Sequence, residues 1–284
     1  MKRQIYQVDA FTDKAYGGNA AGVMIDAAGL SEYQMQKIAN EMQLSETAFV
    51  LPGGQDYDFE VRFFTPTEEV DLCGHATIAT FSLLKELGKL KKTHLRQKTK
   101  AGILDIELID DKVVMTQADP IHIEMNFDLE EISDIMGIQK EMIGIENMAF
   151  PETWSTGLKD IMLPVKSKEA LKKMIPKMDK LVELSERLDV VGVHAFTLEG
   201  EDVWCRNFAP GCGIPEESAT GTSNGALGAC LYNKGIKSKD ALSFYSYQGY
   251  WMNSPSQIFV QVNEKRVLVG GKAAVVLSGE ILLP

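Results

Sequence analysis

Two stretches of this chain carry nearly the same series of motifs, and that repetition limits its possible folds more than any other feature. Ala48-Phe49-Val50-Leu51 returns as Ala195-Phe196-Thr197-Leu198, and Arg62-Phe63-Phe64-Thr65-Pro66 returns as Arg206-Asn207-Phe208-Ala209-Pro210. After each proline comes an acidic loop, then Cys73-Gly74-His75-Ala76 or Thr220-Gly221-Thr222-Ser223, then an apolar segment of helical length. Three matches in order, at intervals differing by a few residues, predict a duplicated α/β domain.

The local patterns agree with that reading. Val8–Phe11, Gly22–Ile25, Thr47–Leu51 and Phe59–Phe64 read as strands, and Ser31–Glu41 reads as a helix capped by Ser31. Gly74–Leu87 is apolar around most of its circumference, as expected of a helix buried on nearly all sides. Strands at Ile103–Ile109 and Lys112–Thr116 are joined by an Asp110-Asp111 turn, and the basic Lys85–Lys100 stretch reads as a solvated helix end and loop. In the second half, helical Lys166–Ile175 and strands at Ala195–Leu198 and Val203–Phe208 precede a small-residue helix, Ser223–Leu231. Strands at Ser243–Tyr247, Gln257–Val262, Arg266–Val269 and Ala273–Leu277 complete the chain. The expected domains are 1–117 plus about 272–284, carrying Glu46 and His75, and 118–271, carrying the Glu217/Gly221 loop.

Several functions are disfavoured by composition. The 284 residues carry a net charge of −11, which would repel phosphate backbones, so a small-molecule partner is expected rather than nucleic acid. No apolar run approaches the ~20 residues of a membrane span, and the start lacks a signal-peptide pattern, so no membrane partner and a cytoplasmic setting are expected. Cys73, Cys205, Cys212 and Cys230 show no disulfide or zinc spacing, and the four histidines are dispersed. No metal is expected.

Chemistry is concentrated in the two glycine loops. Each opens a helix, and free N–H groups at a helix N-terminus bind anions such as carboxylates. If the halves face each other across a pseudo-twofold axis, both helix ends meet in one cleft that grips a carboxylate and steadies an enolate-like charge. The plainer alternative is that the glycines only permit tight turns and close packing. Glu46 lies between Leu44 and Ala48-Phe49-Val50, where desolvation is expected to raise its pKa toward neutrality, as suits an acid/base. The corresponding position in the second half is Val193, so only one half carries the carboxylate.

These residues carry a family resemblance. Val8-Asp9-Ala10-Phe11-Thr12, Gly18-Asn19, Leu44-Ser45-Glu46-Thr47-Ala48-Phe49, Phe64-Thr65-Pro66, Glu69-Val70-Asp71-Leu72-Cys73-Gly74-His75-Ala76-Thr77, Phe208-Ala209-Pro210 and Val269-Gly270-Gly271 together resemble PhzF-like (phenazine-biosynthesis-like) proteins. The resemblance implies an α+β, diaminopimelate-epimerase-like fold: two pseudo-symmetric domains, each a curled, barrel-like sheet around a central helix, with the active site between them. It implies no cofactor, a homodimer, and an isomerase or epimerase. By the same resemblance, Glu46 shuttles the proton, with His75 and Glu217 as its catalytic companions. Asn19, Cys73, Gly74, Gly221, Thr222 and Ser223 are then candidates for binding substrate. Five positions depart from the family pattern: Glu217 and Ser218 replace Asp-Pro, Ala20 replaces a proline, and Asn253-Ser254 replaces Gly-Arg.

Three functions are compatible with this reading. The first is a cofactor-independent isomerase that moves a proton on a small carboxylic acid through Glu46. The second is a two-base amino-acid epimerase or racemase, with Glu46 opposed by His75, Glu217 or Cys73. The third is a catalytically silent protein that binds a small acid. Cys73 has no thiol partner within Pro215–Gly225, so it also fits a buried packing role. His75, at a helix start, is expected to be neutral.

Overall fold

The computed structural model describes residues 2–236, 242–264 and 266–283. Its first elements are β1 (Lys2–Ala10), β2 (Asn19–Met24), α1 (Glu32–Met42), β3 (Glu46–Pro52), β4 (Phe59–Phe64), β5 (Glu69–Val70), α2 (Gly74–Glu86), β6 (His94–Thr99), β7 (Gly102–Ile109) and β8 (Lys112–Thr116). There follow β9 (Ile121–Ile123), α3 (Leu129–Met136), β10 (Glu152–Ser155), β11 (Lys159–Pro164), α4 (Lys168–Lys173), α5 (Met178–Leu188), β12 (Gly192–Glu199) and β13 (Asp202–Ala209). The last are β14 (Ile214–Glu217), α6 (Gly221–Asn233), β15 (Leu242–Gln248), β16 (Ser256–Val262), β17 (Val267–Gly271) and β18 (Ala273–Leu282). Two compact units result: Met1–Thr116 with Gly270–Pro284, and Gln117–Val269.

The units share one strand grammar. In the first, β1–β2 is antiparallel, β2–β3 parallel, β3–β4 antiparallel, β4–β6 parallel and β6–β7 antiparallel. In the second, the same succession runs β10–β11, β11–β12, β12–β13, β13–β15 and β15–β16. Each unit also adds a short antiparallel strand, β5 on β4 and β14 on β13. The duplication legible in the motifs is therefore a duplication of topology.

Each sheet is curled because its helix must be enclosed. Nine of the 13 residues of α2 are buried, and so are nine of the 13 in α6, on all sides rather than along a stripe. Helix α2 touches β1, β2, β3, β8 and β18, strands from both ends of its pairing order, while α6 touches β10, β11, β15 and β16. A flat sheet cannot do this. Close packing also demands glycine at Gly192, where a Cβ would sit 1.9 Å from the carbonyl oxygen of Phe208.

Two polar devices recur as well. Arg62 grips Glu69 through Nε and Nη2, both at 2.7 Å, and lies over the Phe64 ring; Arg206 grips Glu216 at 2.8 Å through the same two atoms and lies over Phe208. The spare donors reach outward, from Arg62 to Glu32 at the start of α1 and from Arg206 to the carbonyls of Leu171 and Met174 at the end of α4. Deeper in, buried Gln97 donates to Thr77 of α2, and buried Gln248 accepts from Asn224 of α6.

Some expectations need correction. Lys85–Lys100 is not all helix end and loop: His94–Thr99 is a strand that buries Leu95, Gln97 and Thr99 on its inner face. Lys166–Ile175 is helical only over Lys168–Lys173, and Arg266 lies outside its strand. Helices α3 and α5 went unread although each has an apolar stripe, Ile132, Ile135 and Met136 in one, Leu181 and Leu184 in the other. Strand β1 starts at Lys2 and ends where Phe11 takes a positive φ of 63°, and β18 runs on to Leu282.

The buried clamp gives the first prediction. Removing one partner strands a charge inside the protein, so Arg206→Ala should destabilise by about 3–5 kcal/mol. The doubly apolar Arg206→Met/Glu216→Leu pair should recover most of that loss. Urea unfolding of both variants checks this.

Candidate active site

The residues singled out in the first unit converge. Glu46 is the first residue of β3, placed by parallel pairing with Ala21 of β2. Cys73 is the extended N-cap residue of α2, and His75 is the second residue of that helix. His75 Nε2 lies 3.1 Å from Glu46 Oε2, an ion-pair distance, although the contact falls short of hydrogen-bond geometry. On the other side of the ring, His75 Nδ1 is 3.4 Å from Cys73 Sγ. Thus a thiol, an imidazole and a carboxyl form one cluster.

Electrostatics within the cluster differ from expectation. Burial pushes the Glu46 carboxyl up, but the close contact with His75 and its charge, with help from Cys73, outweigh it and hold the group below its usual 4.5. The expectation of a raised, near-neutral Glu46 is corrected: its partner, not its desolvation, decides. Burial likewise pulls His75 down, yet the contacts with Cys73 and Glu46 raise it well above 6.5, so the expected neutral imidazole is corrected to a cation. Burial raises the Cys73 thiol. The contact between Glu46 and His75 therefore favours carboxylate and imidazolium.

The helix start beside it is open. Helices α1, α3 and α4 are closed by Ser31, Asp128 and Ser167 side chains, whereas neither Cys73 of α2 nor Thr220 of α6 makes a side-chain cap. Neither first turn contains an acidic residue. With Gly74 and Gly221 as first helical residues, both starts suit an anion. Asn19 sits buried at the start of β2.

The second unit holds a different polar set. Ser223 donates to Asp160 Oδ2 at 2.6 Å, and Asn207 Nδ2 donates both to Ser223 Oγ and to His194 Nδ1 at 3.1 Å. Thr222 offers its carbonyl to Thr156, and Glu217 accepts from the Thr220 hydroxyl at 2.6 Å. Burial, opposed by Ser223 and aided by the charge of Glu217, pushes Asp160 up to about 7. Burial pushes His194 down to about 3, leaving it neutral. Sequence reading reached Glu217, Gly221, Thr222 and Ser223 but missed Asp160, His194 and Asn207. Their signal was weak, since each sits in a strand that carries other polar residues as well: Lys159 beside Asp160, Thr197 after His194, and Arg206 beside Asn207.

Comparison with known proteins places this arrangement. The family described as Phenazine biosynthesis-like protein matches residues 8–279. The chain belongs to that family. It is 36% identical to an uncharacterized isomerase of Clostridium acetobutylicum, over 99% of each chain, and 33% identical to one of Bacillus subtilis, over 97% of this chain and 94% of the other. A PhzF-family phenazine biosynthesis protein of Bacillus anthracis superposes with a TM-score of 0.90 at 28% identity, covering both chains completely. A hydroxyproline epimerase of Agrobacterium vitis shares the fold, with a TM-score of 0.63 at 13% identity over 99% of this chain and 92% of the other. The diaminopimelate-epimerase-like α+β fold expected of a PhzF-family protein is the one observed. Within the described residues no helix is long and apolar enough to cross a membrane.

Two pH predictions follow for this PhzF-family chain. Glu46 is depressed, so its share of stability is present above 4.5 and lost as pH falls through its lower folded value. His75 is raised, so its share is complete below 6.5 and lost as pH rises through its higher folded value. The stability gap between wild type and Glu46→Gln should therefore be widest between pH 4.5 and 6.5, as thermal unfolding across pH will show. Asp160 is the reverse case: raised from 3.8 to about 7, it costs stability as pH climbs between those values. Asp160→Asn should gain on wild type across that window, by a few kcal/mol, and hold the gain above it.

Proposed function

We propose that this protein is a cofactor-independent isomerase that moves a proton on a small carboxylic-acid substrate, with Glu46 as the acid/base. The observation that carries the reading is the Glu46–His75 pair, 3.1 Å apart at an uncapped helix start. The substrate carboxylate, or the oxygen that gains charge, takes the free N–H groups of the first turn of α2. Ionised Glu46 removes the proton from the neighbouring carbon. The His75 imidazolium then faces the developing enolate and lowers its energy, and Glu46 returns the proton at the same or a conjugated carbon. In this reading Gly221, Thr222 and Ser223 offer a second anion-binding turn, and Glu217 fixes Thr220 at its entrance. The isomerase names of the relatives support the class of reaction.

Solvent exchange tests it. In D2O, a panel of small unsaturated, cyclic and amino-substituted carboxylic acids should include one that gains deuterium at carbon with wild type. Glu46→Gln should lose at least about 100-fold of that rate. Deuterium gained with inversion at one centre would make the reaction an epimerisation. Saturable binding without exchange would replace the isomerase with a silent binder.

A further inference from the structure

We propose that Glu46, Cys73 and His75 form a binding site for a zinc-class divalent cation, so that metal and substrate proton compete for the same side chains. The donor set is the first reason. A thiolate, an imidazole nitrogen and a carboxylate are the three ligand types that zinc accepts, and a three-ligand site leaves a fourth position open. Geometry is the second. One ligand atom from each residue lies within 4.8 Å of the other two. Measured from His75 Nε2, Glu46 Oε2 is at 3.1 Å and Cys73 Sγ at 3.9 Å. Tetrahedral zinc with ordinary bond lengths separates an N,O pair by about 3.4 Å and an N,S pair by about 3.6 Å. Because Sγ lies nearer Nδ1, at 3.4 Å, and the carboxylate and thiol are held only within 4.8 Å, closing the set on one cation takes a turn of the His75 ring and the Cys73 side chain.

The scaffold permits that adjustment and little more. Cys73 and His75 share the start of α2, and Glu46 starts a strand of the same unit, so no ligand depends on a mobile loop. The Glu46 side chain is 20% exposed, which gives the cation an entry and a water its place. One thiolate and one carboxylate together neutralise a divalent cation, so the site needs no further anion. Another acid–thiol contact among the described residues lacks this freedom. There, Cys230 lies 3.9 Å from Glu152, but Glu152 is already held by Lys234.

The site itself does not depend on the proposed function; only the claim that metal silences proton transfer rests on that reading. Cobalt(II) is the probe, added to the reduced full-length protein, because a cobalt–thiolate bond gives a charge-transfer band in the near ultraviolet. Wild type should take up a single equivalent and show the band. Cys73→Ser should abolish it, and Cys212→Ser, which removes an exposed thiol, should leave it intact. Glu46→Gln should keep the band but weaken binding at least about tenfold. A band that survives Cys73→Ser, disappears in Cys212→Ser, or never forms in wild type overturns the proposal. If the band follows Cys73 while no compound exchanges deuterium, the metal site stands and the isomerase reading falls. If exchange occurs and zinc leaves it unchanged, the claim of competition falls.

Discussion

A helix that is apolar around its whole circumference cannot rest on a flat sheet. It has to be wrapped, and both units wrap one, α2 or α6, with strands drawn from opposite ends of the pairing order. Wrapping satisfies the sides of the helix and leaves its first-turn N–H groups as the polar remainder. At α1, α3 and α4 such groups are closed by Ser or Asp side chains, and α5, whose N-cap Lys177 makes no such bond, carries Asp179 in its first turn instead. At the two wrapped helices they are not. The fold thereby creates two places where an anion is favoured before any catalytic residue is considered.

What the two copies kept and what they changed can be separated. Both kept the arginine–glutamate clamp, five residues before the first glycine of the helix, and both kept a buried glutamine bonded to the helix three residues after that glycine. The glutamines tie each wrapped helix to its sheet, while the clamps tie the strand before it to a neighbouring helix. The positions facing the helix start diverged. Cys73 and His75 correspond to Thr220 and Thr222, and Glu46 to Val193, so the first unit carries a thiol, an imidazole and a carboxyl where the second carries two hydroxyls and an apolar side chain. The second unit instead buries a carboxyl, Asp160, against Ser223. Structure was duplicated; chemistry was not.

This division explains what the sequence made legible. Motifs that build the wrapped helices are local and repeated, so Phe59–Phe64, Lys112–Thr116, the Ser31 cap and both central helices could be read directly. The strand His94–Thr99 escaped because its inner face is Leu95, Gln97 and Thr99; Gln97 is tolerated there only because Thr77, far away in sequence, accepts its amide. Glu46 and His75 were found as letters, but their charge states were not. A neighbourhood of apolar residues around Glu46 says that burial raises the carboxyl, and says nothing of an imidazole brought in by another element. Asp160 was missed for the same reason, since its hydroxyl partner lies 63 residues away.

The opposing influences on Glu46 bear on how a carboxylate so placed can work as a base. At rest His75 holds it ionised, which supplies the form that can accept a proton but makes it a weak acceptor. The weakness is conditional. Burial alone pushes the same carboxyl upward, and only the His75 contact, with a smaller part from Cys73, cancels that push. In the proposed mechanism, an imidazolium that turned its Nε2 proton toward a substrate oxygen would withdraw the cancelling contact and leave desolvation to act on Glu46. The proposed base would then strengthen as the same proton polarises the substrate. A permanently raised carboxyl, the simpler expectation from sequence, would be protonated too often at rest to begin the reaction. Keeping two large, opposed terms on one residue avoids that, and it requires His75 to sit where it does, between the acid and the thiol.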